Sequence, residues 1–308
     1  MATSDRTASL MTPAKLAQVK PKAPVSPAAW LDQMAADAGH VHVSRLAELC
    51  RELLGQDRLR DIAPAGAKLV ALAEALPGLD FGLLQSRGWW ARATGRSKSS
   101  GAEFAAQFER IEEVSRSLAA HVQALQKKQQ DRAMVSELTL VEIEVEVRAI
   151  EKIIDQGARW LQDMRNQLKA REASASDAAS QQAVQDDTLR CEILVARLKM
   201  LRAVSSAAQH AHQQAQAAAA RRAAVLQLLQ QAVATNLKSW QARVSALAGV
   251  AGDNDAPALS LEGPMESHRE LQLCIKQATA DCGQLQSQEK ALAESLAELD
   301  TQVQAARS

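Results

Sequence analysis

The apolar residues of this chain recur mostly every three or four positions, which is the spacing of an amphipathic helix. The clearest run ends at Leu125, and its steps of four, three, three, four, four and three residues approach a heptad seam. It begins just after Ser100 and Glu103, a capping-box pair that favours a helix start. We therefore predict a long helix that begins at Ser100 and packs through Phe104, Phe108, Ile111, Val114, Leu118, Val122 and Leu125.

The segment 140–147, LVEIEVEV, alternates apolar residues with Glu and in that respect resembles a strand. An isolated strand would have no partner in this chain. A helical stripe also runs through the segment, so we predict a second long helix, loosened locally at Gly157, whose remaining valines face another helix of a bundle. The stripe consists of Met134, Leu138, Val141, Val145, Ala149, Ile153, Trp160, Met164 and Leu168.

Residues 173–185 are small and polar, which predicts a turn between two antiparallel helical arms. Acceptor side chains at 186–188 then favour a helix start. From residue 189 to about residue 247 Ala is abundant and neither Pro nor Gly occurs, so we predict a very long helix.

Residues 249–264 contain Gly and Pro and predict a loop. A last helix is predicted from about Met265 to Ala305, with one skip in its apolar stripe near Gln288 and Glu289. That stripe consists of Leu271, Ile275, Ala278, Cys282, Leu285, Leu292, Leu296 and Leu299.

The N-terminal third is predicted to be less regular. Four prolines interrupt residues 1–27, which predicts a disordered tail. Residues 28–100 contain short helical pieces, one of which carries Leu46, Leu49, Leu53 and Leu54 on one side. The chain is thus predicted to be all-α, an elongated antiparallel coiled coil or helical bundle, with long arms at 101–250 and a linker and C-terminal helix at 251–308.

The sharpest change in composition falls at residues 77–101, which we call the Trp/Arg segment. It combines Gly with Trp89 and Trp90 and with the cations Arg87, Arg92, Arg96 and Lys98. One interpretation is a structured connection whose tryptophans close the end of the bundle. The other is a contact site for a protein partner or an anion, because guanidinium donors lie beside indole rings.

Composition and charge narrow the class of protein. Aromatic residues make up 3 % of the chain although hydrophobic residues make up 47 %, which favours narrow helix-to-helix seams over broad globular cores. Lys plus Arg equal Asp plus Glu at 36 each, which argues against a general affinity for nucleic acid or anionic membranes. No stretch approaches the roughly 18 apolar residues of a membrane span, and no signal-peptide core occurs. We therefore predict a cytoplasmic protein that is not integral to a membrane.

No sequence motif for catalysis is found among the phosphate-loop, dinucleotide, zinc-peptidase and serine-elbow patterns. His210 and His212 lie on different sides of one helix and cannot share a metal within it. We predict no catalytic residue, cofactor or metal. The cysteines form no CxxC pair, which favours reduced thiols. They are interpreted as small buried core residues, and reduction of an oxyanion by these thiols is the alternative. They are Cys50, Cys191, Cys274 and Cys282.

The tract 194–247 leads from an Arg/Leu-rich run to a Gln-rich run and then to Trp240. Within it, Thr235–Gln241, TNLKSWQ, resembles the Asn-Thr-x-Pro-x-Trp-x-x-Gln segment of the toxic anion resistance family known as TelA. Residues 82–96 and 102–118, GLLQSRGWWARATGR and AEFAAQFERIEEVSRSL, are similar to the family's linker and first long helix. The resemblance covers about residues 82–250 and implies a cytoplasmic accessory protein in resistance to oxyanions such as tellurite.

We therefore predict a non-enzymatic helical scaffold in toxic-anion resistance. The alternative is a general coiled-coil structural or partner-binding protein with no oxyanion role. Protein partners are expected, among them stress-resistance or membrane-associated components, and the contacts would come from the Trp/Arg segment and Trp240. A narrow seam can close within one chain or against a second copy, so the sequence does not decide whether the chain forms a homo-oligomer.

Overall fold

The computed structural model describes residues 38–55, 61–85, 96–130, 133–250 and 260–307. Every regular element in these ranges is helical, and no strand occurs among them. The predicted all-α class is therefore confirmed, whereas the predicted tail at 1–27 lies outside the described residues. The helices are α1 (His40–Gly55), α2 (Ala63–Ala75), α3 (Gly82–Gln85), α4 (Arg96–Gln130), α5 (Ala133–Ser174), α6 (Ala178–Gln231), α7 (Lys238–Val250) and α8 (Glu262–Arg307).

Contacts divide the chain into two compact units, each assembled from separate segments. The first unit comprises Met1–Gln56, Met134–Gln216 and Ala291–Ser308, and the second comprises Asp57–Ala133 and Ala217–Lys290. The predicted division into consecutive ranges differs from this one, because long helices pair with segments that are distant in sequence.

The first unit packs α1 and α5 with the parts of α6 and α8 that belong to it. α1 buries three of the four residues of its predicted stripe, Leu46, Leu49 and Leu53, and Leu54 is half-buried. The Cys50 thiol donates a hydrogen bond to the Leu296 carbonyl at 3.3 Å. The other elements contribute fully buried apolar side chains to the same core, among them Ile143, Ile150, Leu194, Leu201, Leu292 and Leu299.

Segment 140–147 is helical, as predicted, and the C-terminal part of the expected stripe is buried at Ile153, Met164 and Leu168. The N-terminal part of α5 buries a different row from the one expected. Ile143, Val147 and Ile150 are buried, whereas Val141 and Val145 are 57 % and 58 % exposed. Carboxylates beside the buried row pair with α1. Glu142 pairs with Arg45, and Glu146 lies 2.6 Å from His42.

Gly157 does not loosen α5, which continues through it. A Cβ at this position would lie 2.8 Å from Leu198 Cδ2. The glycine therefore permits a close approach between α5 and α6.

The connection between α5 and α6 is much shorter than the predicted turn, because α6 begins at Ala178. Ala and Gln in this stretch have high helix propensity and extend the helix toward α5. Asp177 precedes the helix; its carboxylate accepts a hydrogen bond from the Ser180 hydroxyl and its carbonyl accepts one from the Gln181 amide. Asp187, expected near the helix start, is instead buried within it between Arg171 and Arg190.

The second unit contains one continuous hydrophobic cluster, to which α2, α4, α6, α7 and α8 contribute. The predicted seam of α4 is confirmed, with Phe104, Ile111 and Leu118 buried. α4 begins at Arg96 rather than at the predicted Ser100. No Gly or Pro lies between these two residues, so nothing forces the chain out of the helix before the seam.

A π turn interrupts the predicted long helix near its C-terminal end. It spans Ala232–Leu237 and joins α6 to α7. The buried positions 225, 229, 232, 237, 240, 244 and 247 show why, since the step from 232 to 237 is five residues and the others are three or four. The i→i+5 hydrogen bonding of a π turn absorbs one extra residue and keeps both halves of the stripe on one face.

The predicted stripe of α8 is confirmed at all eight of its positions, which are buried. At the skip in the stripe, near Gln288 and Glu289, a polar contact replaces an apolar one. The Arg222 guanidinium of α6 forms a salt bridge with Glu289, and both side chains are nearly buried.

Candidate functional sites

The resemblance to the TelA segment falls on the π turn and the first turn of α7, and its Trp240 is fully buried. The Trp240 ring lies 5.4 Å from that of Phe108 and 6.1 Å from that of His268, between centroids. Phe81 packs edge-on against His268 at 5.3 Å and against Phe104 at 5.6 Å. Aromatic pairs in such edge-on and tilted arrangements add to the stability of a core beyond their buried area.

A hydrogen bond fixes the protonation state of His268. The indole N–H of Trp240 donates to His268 Nδ1 at 3.0 Å. Because an indole is only a donor, Nδ1 must carry a lone pair, and the proton of the neutral ring lies on Nε2. The Gln272 amide lies 3.1 Å from Nε2, and with this tautomer it must present its oxygen there. Burial lowers the pKa of His268, and a hydrogen bond to the Leu76 carbonyl opposes this shift. A protonated His268 ring would carry a proton on Nδ1, and that N–H would face the indole N–H of Trp240.

We expect the free energy of unfolding to fall as pH falls below 6.5, the ordinary pKa of His268. The unfolded chain takes up a proton there that the folded chain does not, until the pH reaches the lowered folded pKa. The stability from the neutral ring is thus complete above pH 6.5 and is lost below it, with a slope of up to about 1.4 kcal/mol per pH unit.

Urea unfolding between pH 7.5 and 5.5 measures this dependence for the wild type and for His268→Gln. The variant should lose the part of the slope that His268 contributes. His210→Gln, at an exposed histidine, serves as the matched control and should keep the wild-type slope. Equal slopes for the wild type and His268→Gln would contradict the assignment of the neutral ring.

The predicted contact residues fall in different places. Four of them lie outside the described residues, namely Trp89, Trp90, Arg87 and Arg92. The side chain of Lys98 also lies outside the description. Arg96 opens α4, and its side chain is likewise outside the description. Trp240 has no exposed surface. It is therefore a core residue rather than a surface for a partner, because the aromatic cluster encloses it.

Three of the four thiols are buried. Burial raises the pKa of Cys50 and of Cys282 to about 11, and it also raises the pKa of Cys191. Since the thiolate is the reactive form of cysteine, burial suppresses nucleophilic and reducing chemistry at these sulfurs. Cys274 is partly exposed.

We expect one thiol per folded chain to react rapidly with Ellman's reagent near pH 8, and this thiol should be Cys274. The other three should react only after denaturation, because the reagent must reach a thiolate that the core excludes. Absorbance of the released thiol dye counts the fast phase. Cys274→Ser should abolish that phase, and a second fast thiol in this variant would contradict the burial of the other three.

Metal-binding geometry is absent from the part of the chain that the structure describes, where no three His, Cys, Asp or Glu side chains are grouped to hold an ion. His210 and His212 each lie near a glutamine one turn along the helix, Gln214 at 3.5 Å and Gln216 at 3.3 Å. Within the described ranges no helix is long and apolar enough to cross a membrane.

Exposed apolar residues form two strips on the first unit, which the sequence analysis did not identify as surfaces. On α5 the strip is Leu138, Val141 and Val145, each more than half exposed. On α6, Leu189 and Ile193 are 58 % exposed and Met200 is 44 % exposed. Each strip lies on the side of its helix away from the buried seam. Single exposed apolar residues are ordinary on proteins, but rows at heptad spacing are typical of surfaces that contact another helix.

An open groove lies between α5 and α6 beside the α6 strip. Leu189 belongs to both, so apolar surface continues from the strip into the groove. The charges along it are mixed, with Arg165 and Lys169 near Glu172, and no single sign dominates. The groove is lined by Gln162, Arg165, Asn166, Leu168, Lys169, Glu172, Val184, Gln185, Thr188 and Leu189. It offers a continuation of the contact surface rather than an enclosed reaction site.

Comparisons of the chain with protein-family models, with curated proteins and with solved structures give no match.

Proposed function

We propose that this chain is a non-enzymatic helical scaffold and acts as a cytoplasmic accessory protein in resistance to toxic anions such as tellurite. The scaffold role is supported by one observation above the others, the apolar strips on α5 and α6. Helices that serve only their own core leave polar residues on the opposite face, whereas these two leave rows of Val, Leu, Ile and Met.

The α5 strip is suited to the apolar stripe of a partner helix. Leu138, Val141 and Val145 follow one another at steps of three and four residues. On one flank Glu137 is exposed and Glu144 pairs with Arg148, whereas Glu142 and Glu146 on the other flank pair with α1 of the same unit. A partner helix with an apolar stripe at the same spacing would complement the strip, and a Lys or Arg beside that stripe could pair with Glu137.

The role in anion resistance rests on the resemblance of the tract around Trp240 to the TelA family. That part of the proposal concerns the biological process and is independent of whether the α5 strip binds a partner.

A deletion strain tests both parts. Tolerance to tellurite should fall on deletion and return with the wild-type chain. Leu138→Ser combined with Val141→Ser and Val145→Ser should fail to restore it, because the strip is lost while the core is untouched. Leu273→Ser, at an isolated leucine that is 64 % exposed, is the matched control and should restore tolerance.

The outcomes separate the proposals. Unchanged tolerance on deletion would remove the resistance role and leave the alternative, a general coiled-coil structural or partner-binding protein. Full restoration by the triple Ser variant would remove the α5 strip from the function. Loss of tolerance after all four cysteines are replaced by Ser, in a chain that still folds, would contradict the non-enzymatic role.

A further inference from the structure

The exposed face of α6 carries a second heptad seam that its own core does not use. Leu189, Ile193, Ala196 and Met200 follow at steps of four, three and four residues, and all four are exposed. The buried seam of the same helix contains Cys191, Leu194, Leu198 and Leu201. A position two residues along an α-helix lies about 200° around its axis, so the two seams lie on opposite faces.

The charges beside this seam indicate its partner. Glu192 and Lys199 are exposed, seven residues apart, and so occupy the same heptad position along one edge. When two such helices pair in antiparallel orientation, equivalent edge positions face each other. Glu192 of one copy then faces Lys199 of a second copy, and the contact occurs twice because of the twofold symmetry.

This register also matches the apolar side chains. With Glu192 facing Lys199, Leu189 lies opposite Met200 and Ile193 lies opposite Ala196, which pairs a large residue with a small one near the centre. A parallel pairing would instead bring Glu192 toward Arg197, which donates to the carbonyls of Ala38 and Ala306 in its own unit.

The opposite edge of the seam carries Arg190 and Arg197, which the antiparallel register brings toward one another. Both are engaged within the chain. Arg190 pairs with Asp187 at 3.2 Å, and Arg197 donates to the Ala38 carbonyl at 3.1 Å. These bonds draw the guanidinium groups away from the seam, so the favourable pair on the Glu192 edge determines the orientation.

We propose that this chain forms an antiparallel homodimer in which the Leu189, Ile193, Ala196 and Met200 seam of α6 packs against the same seam of a second copy. The twofold axis passes near Val195. The inference rests on the geometry of the first unit and does not depend on a role in anion resistance.

Sedimentation velocity on the full chain at low salt, from about 1 to about 100 µM, should show a dimer that increases with concentration. Glu192→Lys and Lys199→Glu should each raise the dimer dissociation constant by about tenfold, because like charges then face each other twice. An equimolar mixture of these two variants should recover wild-type affinity, since every Lys then faces a Glu.

Ile193→Asp should abolish the dimer, whereas Leu273→Asp, at an exposed leucine outside the seam, should leave it unchanged. Circular dichroism on every variant checks that helix content is retained. A monomer at all concentrations would overturn the proposal, as would a dimer that survives Ile193→Asp. Failure of the mixture to recover affinity would overturn the antiparallel register. Sedimentation tests the dimer and tellurite tolerance tests the resistance role, so each proposal can fail without the other.

Discussion

Replacing Trp240 with Ala is expected to lower the free energy of unfolding by about 3 to 5 kcal/mol. The ring is fully buried, and its removal leaves a cavity bordered by Phe108 and His268. The substitution also removes the donor to His268 Nδ1, so a buried acceptor loses its hydrogen bond. Urea unfolding followed by circular dichroism at pH 7.5 measures the loss.

Two further variants separate packing from hydrogen bonding. Trp240→Phe keeps an aromatic ring but has no N–H, and should cost about 1 to 3 kcal/mol. Trp160→Ala, at a tryptophan that is only partly buried, is the matched control and should cost less than Trp240→Ala. Equal losses for the two Ala variants would contradict the central position of Trp240 in the core.

The second large effect is expected at the Arg222 and Glu289 salt bridge. Glu289→Leu should destabilise the protein by about 3 kcal/mol, because it leaves the Arg222 guanidinium charged and nearly buried without its carboxylate. The double variant Arg222→Met with Glu289→Leu should recover most of this loss, since an apolar pair of similar volume suits the same position in the seam.

A double-mutant cycle from urea unfolding measures the coupling between the two residues. The exposed pair of Arg148 and Glu144 on α5 provides the control, and Arg148→Met should cost less than about 0.5 kcal/mol. A double variant at 222 and 289 that is no more stable than Glu289→Leu would show that the site requires polarity for another reason.

Sequence periodicity predicted the helices and the seams of α4 and α8 because each of these helices has one apolar stripe. The N-terminal part of α5 has two apolar rows, and spacing alone does not choose between them. The buried row is the one that packs against α1, where Glu142 and Glu146 also pair with residues about a hundred positions away in the chain. Such long-range pairing is not visible in a local pattern.

The buried polar features could be predicted only in part. The skip at Gln288 and Glu289 was visible in the stripe of α8, but its partner Arg222 lies on another helix and gave no local signal. Trp240 was identified through its place in a family-like segment, and that resemblance carried no information about burial. The π turn did have a signal in the sequence, namely the five-residue step from Ala232 to Leu237. That step is easily missed when the high helix propensity of the whole tract is considered alone.

The π turn has a consequence for how relatives of this chain should be aligned. It is one residue longer than the α-helical path it replaces, and Thr235 within it is exposed. A homologue lacking one residue between positions 232 and 237 would form a straight helix and still place both Val225 and Val244 in the core. Single-residue gaps in an alignment of relatives should therefore occur mostly in this stretch. A gap inside a long helix would otherwise be taken for an alignment error.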